Sequence, residues 1–260
     1  MLITYILYGI ALILLIYIIV DIMRTRRIDR ADIFAALGIV VSIVAAQPAT
    51  QLKFEPALTQ TVTTQLTSSS TTTWIDNFDS STLNNRWSWL GEDTTHWSLT
   101  AQSGFLRIIT TRNSTVGIPK NLLVQSIPVN DFTVQTNVVF KPTQDGHFAG
   151  LLIMQDANNF LKLGRTNNSG TDSLVFWLKE QGNWSDAGIP SIQPTQDDYY
   201  LQIVCHGTSY SGSVSTNGKD WQSLGTLTIN FAPTVVGVLA IDESAKRDEI
   251  PADFDFFTLK

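Results

Sequence analysis

In the stretch KPTQDGHFAG, Asp145 and His147 stand two residues apart and offer a carboxylate and an imidazole, the pair that proton transfer uses. Asp-Gly between two apolar runs is also a strong turn signal, and the segment is read first as a turn. Glycoside cleavage with retention needs two carboxyl groups ~5–5.5 Å apart. An E-x-D-x-x-E strand would supply them by pointing alternate residues into one groove. The chain has five glutamates (Glu55, Glu92, Glu180, Glu243 and Glu249), and no two of them share such a strand. Neither G-x-S-x-G, nor zinc-ligand spacing, nor a phosphate-binding glycine loop occurs. The single Cys205 excludes an internal disulfide. Its place in YYLQIVCHG makes it a core thiol rather than a nucleophile, despite the neighbouring His206. These counts point to a binder, with a glycoside hydrolase as the minor alternative.

Binding chemistry is better represented. Aromatic rings lie against apolar C–H faces while amides and charged groups satisfy hydroxyls. Period-two alternation in DFTVQTNVVF turns Phe132, Val134, Val138 and Phe140 one way and Gln135, Asn137 and Val139 the other. SLVFWLKE sets Leu174, Phe176 and Leu178 inward against Val175, Trp177 and Lys179. YYLQIVCHG sets Tyr199, Leu201, Ile203 and Cys205 against Tyr200, Gln202, Val204 and His206. The outward set Gln135, Asn137, Trp177, Lys179, Tyr200 and Gln202 is the expected platform, with Trp184 closing one side and His147 reaching in from another. Trp87, Trp89, Trp97 and Trp221 are read as core or edge packing.

Such alternating strands, separated by Gly, Asn, Asp and Pro, fill the chain from residue 74 onward, with no amphipathic helix of useful length. One-faced strands stack as two antiparallel sheets, so the expectation is a single all-β sandwich over 74–260. In STNGKDW, Asn217 and Gly218 are expected to supply the positive-φ hairpin turn, with Trp221 opening the return strand.

The N-terminal part has a different character. Residues 1–22 begin with twenty residues free of charge, the length a spanning helix requires. A loop over 23–32 carries Arg24, Arg26, Arg27 and Arg30, and a second apolar segment occupies 33–49. Arginines confined to the loop place it in the cytoplasm and the bulk of the chain outside a cell membrane. A single anchor with an interfacial helix, or a cleaved signal over 23–46, are the alternatives; the retained hairpin and the cleaved signal both export the C-terminal domain. The Thr/Ser-rich 50–73 reads as a linker. A net charge of −6 with no basic run in the globular part excludes a nucleic-acid partner.

WIDNFDSSTLNNRWSWLGEDTTHWSLTAQSGFLRI, followed in order by HFAGLLIMQDANNFLKLG, STNGKDW and ADFDFFTL, resembles the concanavalin A-like domains of the C-terminal module of family 43 β-xylosidases and the related DUF1349 proteins. The resemblance covers about residues 74–260 and implies a jelly roll whose first and last strands pair. It also raises a structural calcium ion, for which Asp76, Asp79, Asp253 and Asp255 are the available ligands; no other cofactor is expected. Two functions stand side by side. One is a membrane-anchored, non-catalytic module recognising a glycan or cell-envelope polysaccharide. The other is an accessory subunit whose hairpin packs in a larger membrane complex while the sandwich docks a partner. Sequons at Asn113, Asn167 and Asn183 matter only in a glycosylating host.

Overall fold

The alternating segments form sixteen strands in a computed structural model that describes residues 73–112, 120–128, 131–243 and 248–260. The expected membrane segments 1–22 and 33–49, the basic loop 23–32 and the linker 50–73, apart from Thr73, lie outside the described residues. So does the sequon at Asn113. Among the described residues no helix is long and apolar enough to cross a membrane.

The first sheet runs β14 (Gln222–Thr228), β13 (Ser209–Ser215), β12 (Asp198–His206), β7 (Phe132–Val139), β16 (Pro251–Leu259), β4 (Leu106–Ile109) and β3 (Trp97–Ser98). The short β1 (Trp74–Asp76) also pairs with β16, so the first and last strands of the domain meet, with Trp74 opposite Leu259. The second sheet runs β11 (Asn183–Asp186), β10 (Thr171–Glu180), β9 (Asn159–Asn168), β8 (His147–Asp156), β15 (Val235–Asp242), β6 (Leu122–Ser126) and β2 (Ser88–Leu90). Pairing is antiparallel except where β5 (Thr111–Arg112) runs alongside β15. This is the all-β, two-sheet sandwich that the alternation predicts, with the jelly-roll pairing of first and last strands that the resemblance implies.

The inner faces are those read from the sequence. Phe132, Val134, Val138 and Phe140 pack with Leu174, Phe176 and Leu178 and with Tyr199, Leu201, Ile203 and Cys205 in one core. Burial pushes the Cys205 thiol above its ordinary range, as expected of a packing residue. Trp87 is buried among Trp74, Phe78 and Phe257 at ring separations of 5.3, 6.1 and 4.9 Å. Trp89 and Trp97 pack on each other at 5.0 Å.

Strand β16 departs from strict alternation. Phe254 and Phe257 both face the core, and an odd spacing of three requires one extra residue, which the register shift between Phe254 and Phe256 provides as a bulge. The STNGKDW hairpin also differs from expectation. Only Gly218 has positive φ, the return strand starts at Gln222, and the Asn217 side chain accepts from the backbone N–H groups of Lys219 and Asp220. A wide Asx-capped loop thus replaces the two-residue turn.

Asp76 fastens the entry to the sandwich. Its carboxylate accepts from Trp87 Nε1 at 2.9 Å and from the backbone N–H of Phe78, a residue held at a φ of 53°. Asp76→Ala orphans the buried indole donor and is expected to cost about 2 kcal/mol. A thermal melt of the full-length variant checks this.

Candidate functional site

The outer face of the second sheet is built in registered rows. Trp184 on β11, Lys179 on β10, Phe160 on β9 and Met154 on β8 stand opposite one another. The next row is Asp186, Trp177, Lys162 and Leu152. The third row is open at Gly164 and Gly150, where β9 and β8 approach closely. A Cβ on Gly164 would stand 2.1 Å from the Ala149 carbonyl oxygen and 2.8 Å from the Phe148 ring, so only glycine leaves that ring its place. Leu122, Val124, Phe148, Leu152, Met154, Val175, Leu239 and Ile241 form an apolar cluster on this face, separate from the core.

At the β10–β11 end of the face is an open cleft of about 570 Å³, lined by Asn168, Trp177, Lys179, Trp184, Ser185, Asp186 and Glu243. That volume lies within the range of small-ligand sites. A second hollow of about 390 Å³ shares Asn168, Trp177 and Asp186 and continues to Ile189 and Pro190. Trp184 is 50% exposed and packs edge-on against Phe160 and Trp177, at 5.4 and 6.1 Å.

The charges in the cleft are specifically placed. Lys162 is fully buried, with Nζ 2.9 Å from Glu243 and 4.3, 5.4 and 5.1 Å from the rings of Phe148, Trp177 and Trp184. Burial pulls its pKa down, and Glu243 opposes that shift. Lys179 donates to the Ala157 carbonyl and lies 5.7 Å from both Phe160 and Trp184. Asp186 accepts from the backbone N–H of Gly188 at 2.7 Å. The cleft thus offers an ammonium donor, a carboxylate acceptor and an exposed indole face within two rows.

The expected platform is divided between two surfaces. Trp177, Lys179 and Trp184 come together here, but Gln135, Asn137, Tyr200 and Gln202 belong to β7 and β12 of the first sheet, whose outer face points the opposite way. Asn137 is buried and donates to Asp198, Gln202 accepts from Ser213, and Tyr200 packs on Phe256 at 6.1 Å. His147 is also displaced from its expected role. It opens β8, is fully buried, and its ring contacts Thr143, Gln144 and the Asp248 carbonyl, so it ties two loops together and reaches no cleft. Asp145 and Gly146 form the turn read for them, with Gly146 at a φ of 87°, and the Asp145 carboxylate accepts from the Gly170 N–H of the neighbouring hairpin at 2.6 Å.

The aspartates raised for calcium are not gathered as a ligand set. Asp76 holds Trp87, and Asp253 forms a two-point pair with Arg107 at 2.6 and 2.7 Å. Burial raises the Asp255 pKa, and Asp198 and Asp79 add repulsion. Among the described residues no three His, Cys, Asp or Glu side chains are arranged to hold a metal.

Sequence reasoning missed Lys162, Glu243 and Asp186. A lysine at the outward position of the apolar run NFLKLG was the available signal, whereas Glu243 stands in the charged stretch DESAKRDE, which carries no mark of a cleft.

A two-sheet jelly roll whose first and last strands pair is the architecture of a concanavalin A-like module. Residues 75–260 match the family described as the Beta xylosidase C-terminal Concanavalin A-like domain, and the chain belongs to that family. Among solved structures it is similar to the GH43 BlXynB protein from Bacillus licheniformis, with 23% identity and a TM-score of 0.64 over 71% of this chain and 38% of that one. It is also similar to a xylan beta-1,4-xylosidase from Bacillus halodurans C-125, with 22% identity and a TM-score of 0.62 over 83% of this chain and 41% of that one. A functionally unknown protein from Saccharomyces cerevisiae matches at 19% identity and a TM-score of 0.53, over 67% of this chain and 96% of its own. This chain therefore spans less than half of either Bacillus protein, and the matching part is the C-terminal sandwich, not the catalytic domain. A search of curated proteins finds no match.

Proposed function

We propose that the chain is a non-catalytic carbohydrate-binding module that takes an extended neutral glycan across the β10–β11 cleft. The observation that carries this reading is the half-exposed Trp184 ring, flanked by Lys179 as donor and Asp186 as acceptor. A sugar needs an apolar stacking face with donors and acceptors around it. The adjoining hollow past Asp186 suits a chain longer than one residue. Absence of catalysis is supported by the state of the two cleft carboxylates: Glu243 is paired with Lys162, and Asp186 is turned onto a backbone N–H.

The sequence supports display outside a membrane, through the apolar segments 1–22 and 33–49 flanking four arginines. Two spans also favour the second reading, an accessory subunit of a membrane complex, because a free lectin needs only one. Screening the full-length chain in mild detergent against immobilised neutral and acidic polysaccharides tests the first reading. Retention on a neutral polysaccharide is expected. Absence of retention, together with stoichiometric comigration with other membrane proteins, would replace it with the second.

A further inference from the structure

We propose that Lys162 is a positioning residue of the cleft: its ammonium, tethered by Glu243, holds the Trp177–Trp184 pair in the geometry a ligand meets, although no ligand touches it. The inference deepens the glycan-binding reading and rests on it for its affinity consequence alone.

Lys162 has no exposed surface, so a molecule in the cleft cannot reach its ammonium. It stands opposite Trp177 in the sheet register, and its Nζ lies among three aromatic rings at 4.3 to 5.4 Å. Each ring face attracts the cation, and desolvation strengthens that attraction. Glu243 holds the ammonium at 2.9 Å, which limits how far the cation can follow a ring that swings away.

Trp184 needs such an anchor. It sits on a four-residue edge strand in which every residue is exposed, and β11 pairs only with β10. Its ring contacts are Phe160 and Trp177, both edge-on, together with the two ammonium groups. A half-exposed ring held so sparsely would lose rotamer freedom on binding, whereas a ring fixed beforehand avoids that cost. Methionine, of similar length, would fill the same space without a buried charge, and the Glu243 left behind is partly exposed and regains water, so the cost of breaking the pair stays small. Orienting the indoles is the function that a charge performs there and a methionine would not.

The experiment compares full-length wild type, Lys162→Met, Lys162→Arg and Trp184→Phe. Near-ultraviolet circular dichroism of wild type minus Trp184→Phe defines the Trp184 signal. Lys162→Met is expected to melt within a few degrees of the wild-type temperature, to lose most of that signal, and to bind the polysaccharide retained by wild type about tenfold more weakly. Lys162→Arg keeps the cation and is expected to keep the signal.

Survival of the signal in Lys162→Met overturns the proposal whatever happens to binding. Should Lys162→Met fail to fold, Lys162→Arg decides: a retained signal upholds the proposal, and a lost one overturns it. Loss of the signal in a protein whose wild type retains no polysaccharide leaves Lys162 as the anchor and removes the glycan reading.

Discussion

Arg165→Met is expected to lower the stability of the sandwich by about 3 kcal/mol, because it removes a buried cation that ties the two sheets together. Arg165 lies on the inner side of β9, opposite Leu174 and Ala149, with its side chain 5% exposed. Its Nε and Nη2 donate to the two oxygens of Asp172 at 2.9 and 2.7 Å within the second sheet. Its Nη1 reaches the first sheet, donating to the Phe140 carbonyl just past β7 and to the Gln196 carbonyl and Asp197 carboxylate just before β12. Burial would lower its pKa, but Asp172 and Asp197 outweigh that and hold it above the ordinary arginine value.

Methionine keeps much of the apolar stem and none of these bonds, so the loss reports the fork rather than a cavity. Asp172 and Asp197 are partly exposed and regain water, which keeps the cost below that of a fully buried orphaned charge. For a domain of this size the expected fall in melting temperature is roughly 6–12 °C. Lysine at this position recovers little, since a single ammonium cannot span both partners. A full-length Arg165→Met variant melting with wild type would show that the fork does not join the sheets.

Trp184→Ala is expected to weaken glycan binding by about 30-fold, the loss typical of removing one aromatic hot spot worth about 2 kcal/mol. The same change is expected to cost less than about 1 kcal/mol of stability, because half of the ring already faces solvent. Trp177→Ala separates the two effects. Trp177 packs on the outer apolar cluster and on Lys162, so its removal lowers the melting temperature as well as the affinity. Isothermal titration of both variants, paired with thermal melts, checks the contrast.

Much of the fold is legible in the residues because alternation is a local property. Phe132, Val134 and Val138 announce an inward face wherever β7 goes, and the same holds for Leu201, Ile203 and Cys205 on β12. What alternation cannot state is which sheet a strand joins. Gln135 and Trp177 are both outward, but a sandwich has two outsides, and pairing β7 with β12 while β10 pairs with β9 is a long-range outcome. The same gap hid Lys162, whose importance depends on the register that places it beside Trp177 and on a glutamate 81 residues away. Asp255 illustrates a third case: DFDFF looks regular until one bulge turns both Phe254 and Phe257 inward. His147 was legible as a polar group near a turn, but its burial was not, because the Asp248 carbonyl it bonds comes from the other end of the domain.

The most direct test of the binding claim is to pass the full-length chain and its Trp184→Ala variant, side by side, through affinity gels containing neutral polysaccharides. The account predicts that wild type is retarded by at least one of them, and that the variant, with a nearly unchanged melting temperature, is retarded far less. Equal mobility of the two proteins in every gel, or equal retardation, would contradict the assignment of the β10–β11 cleft as a glycan site.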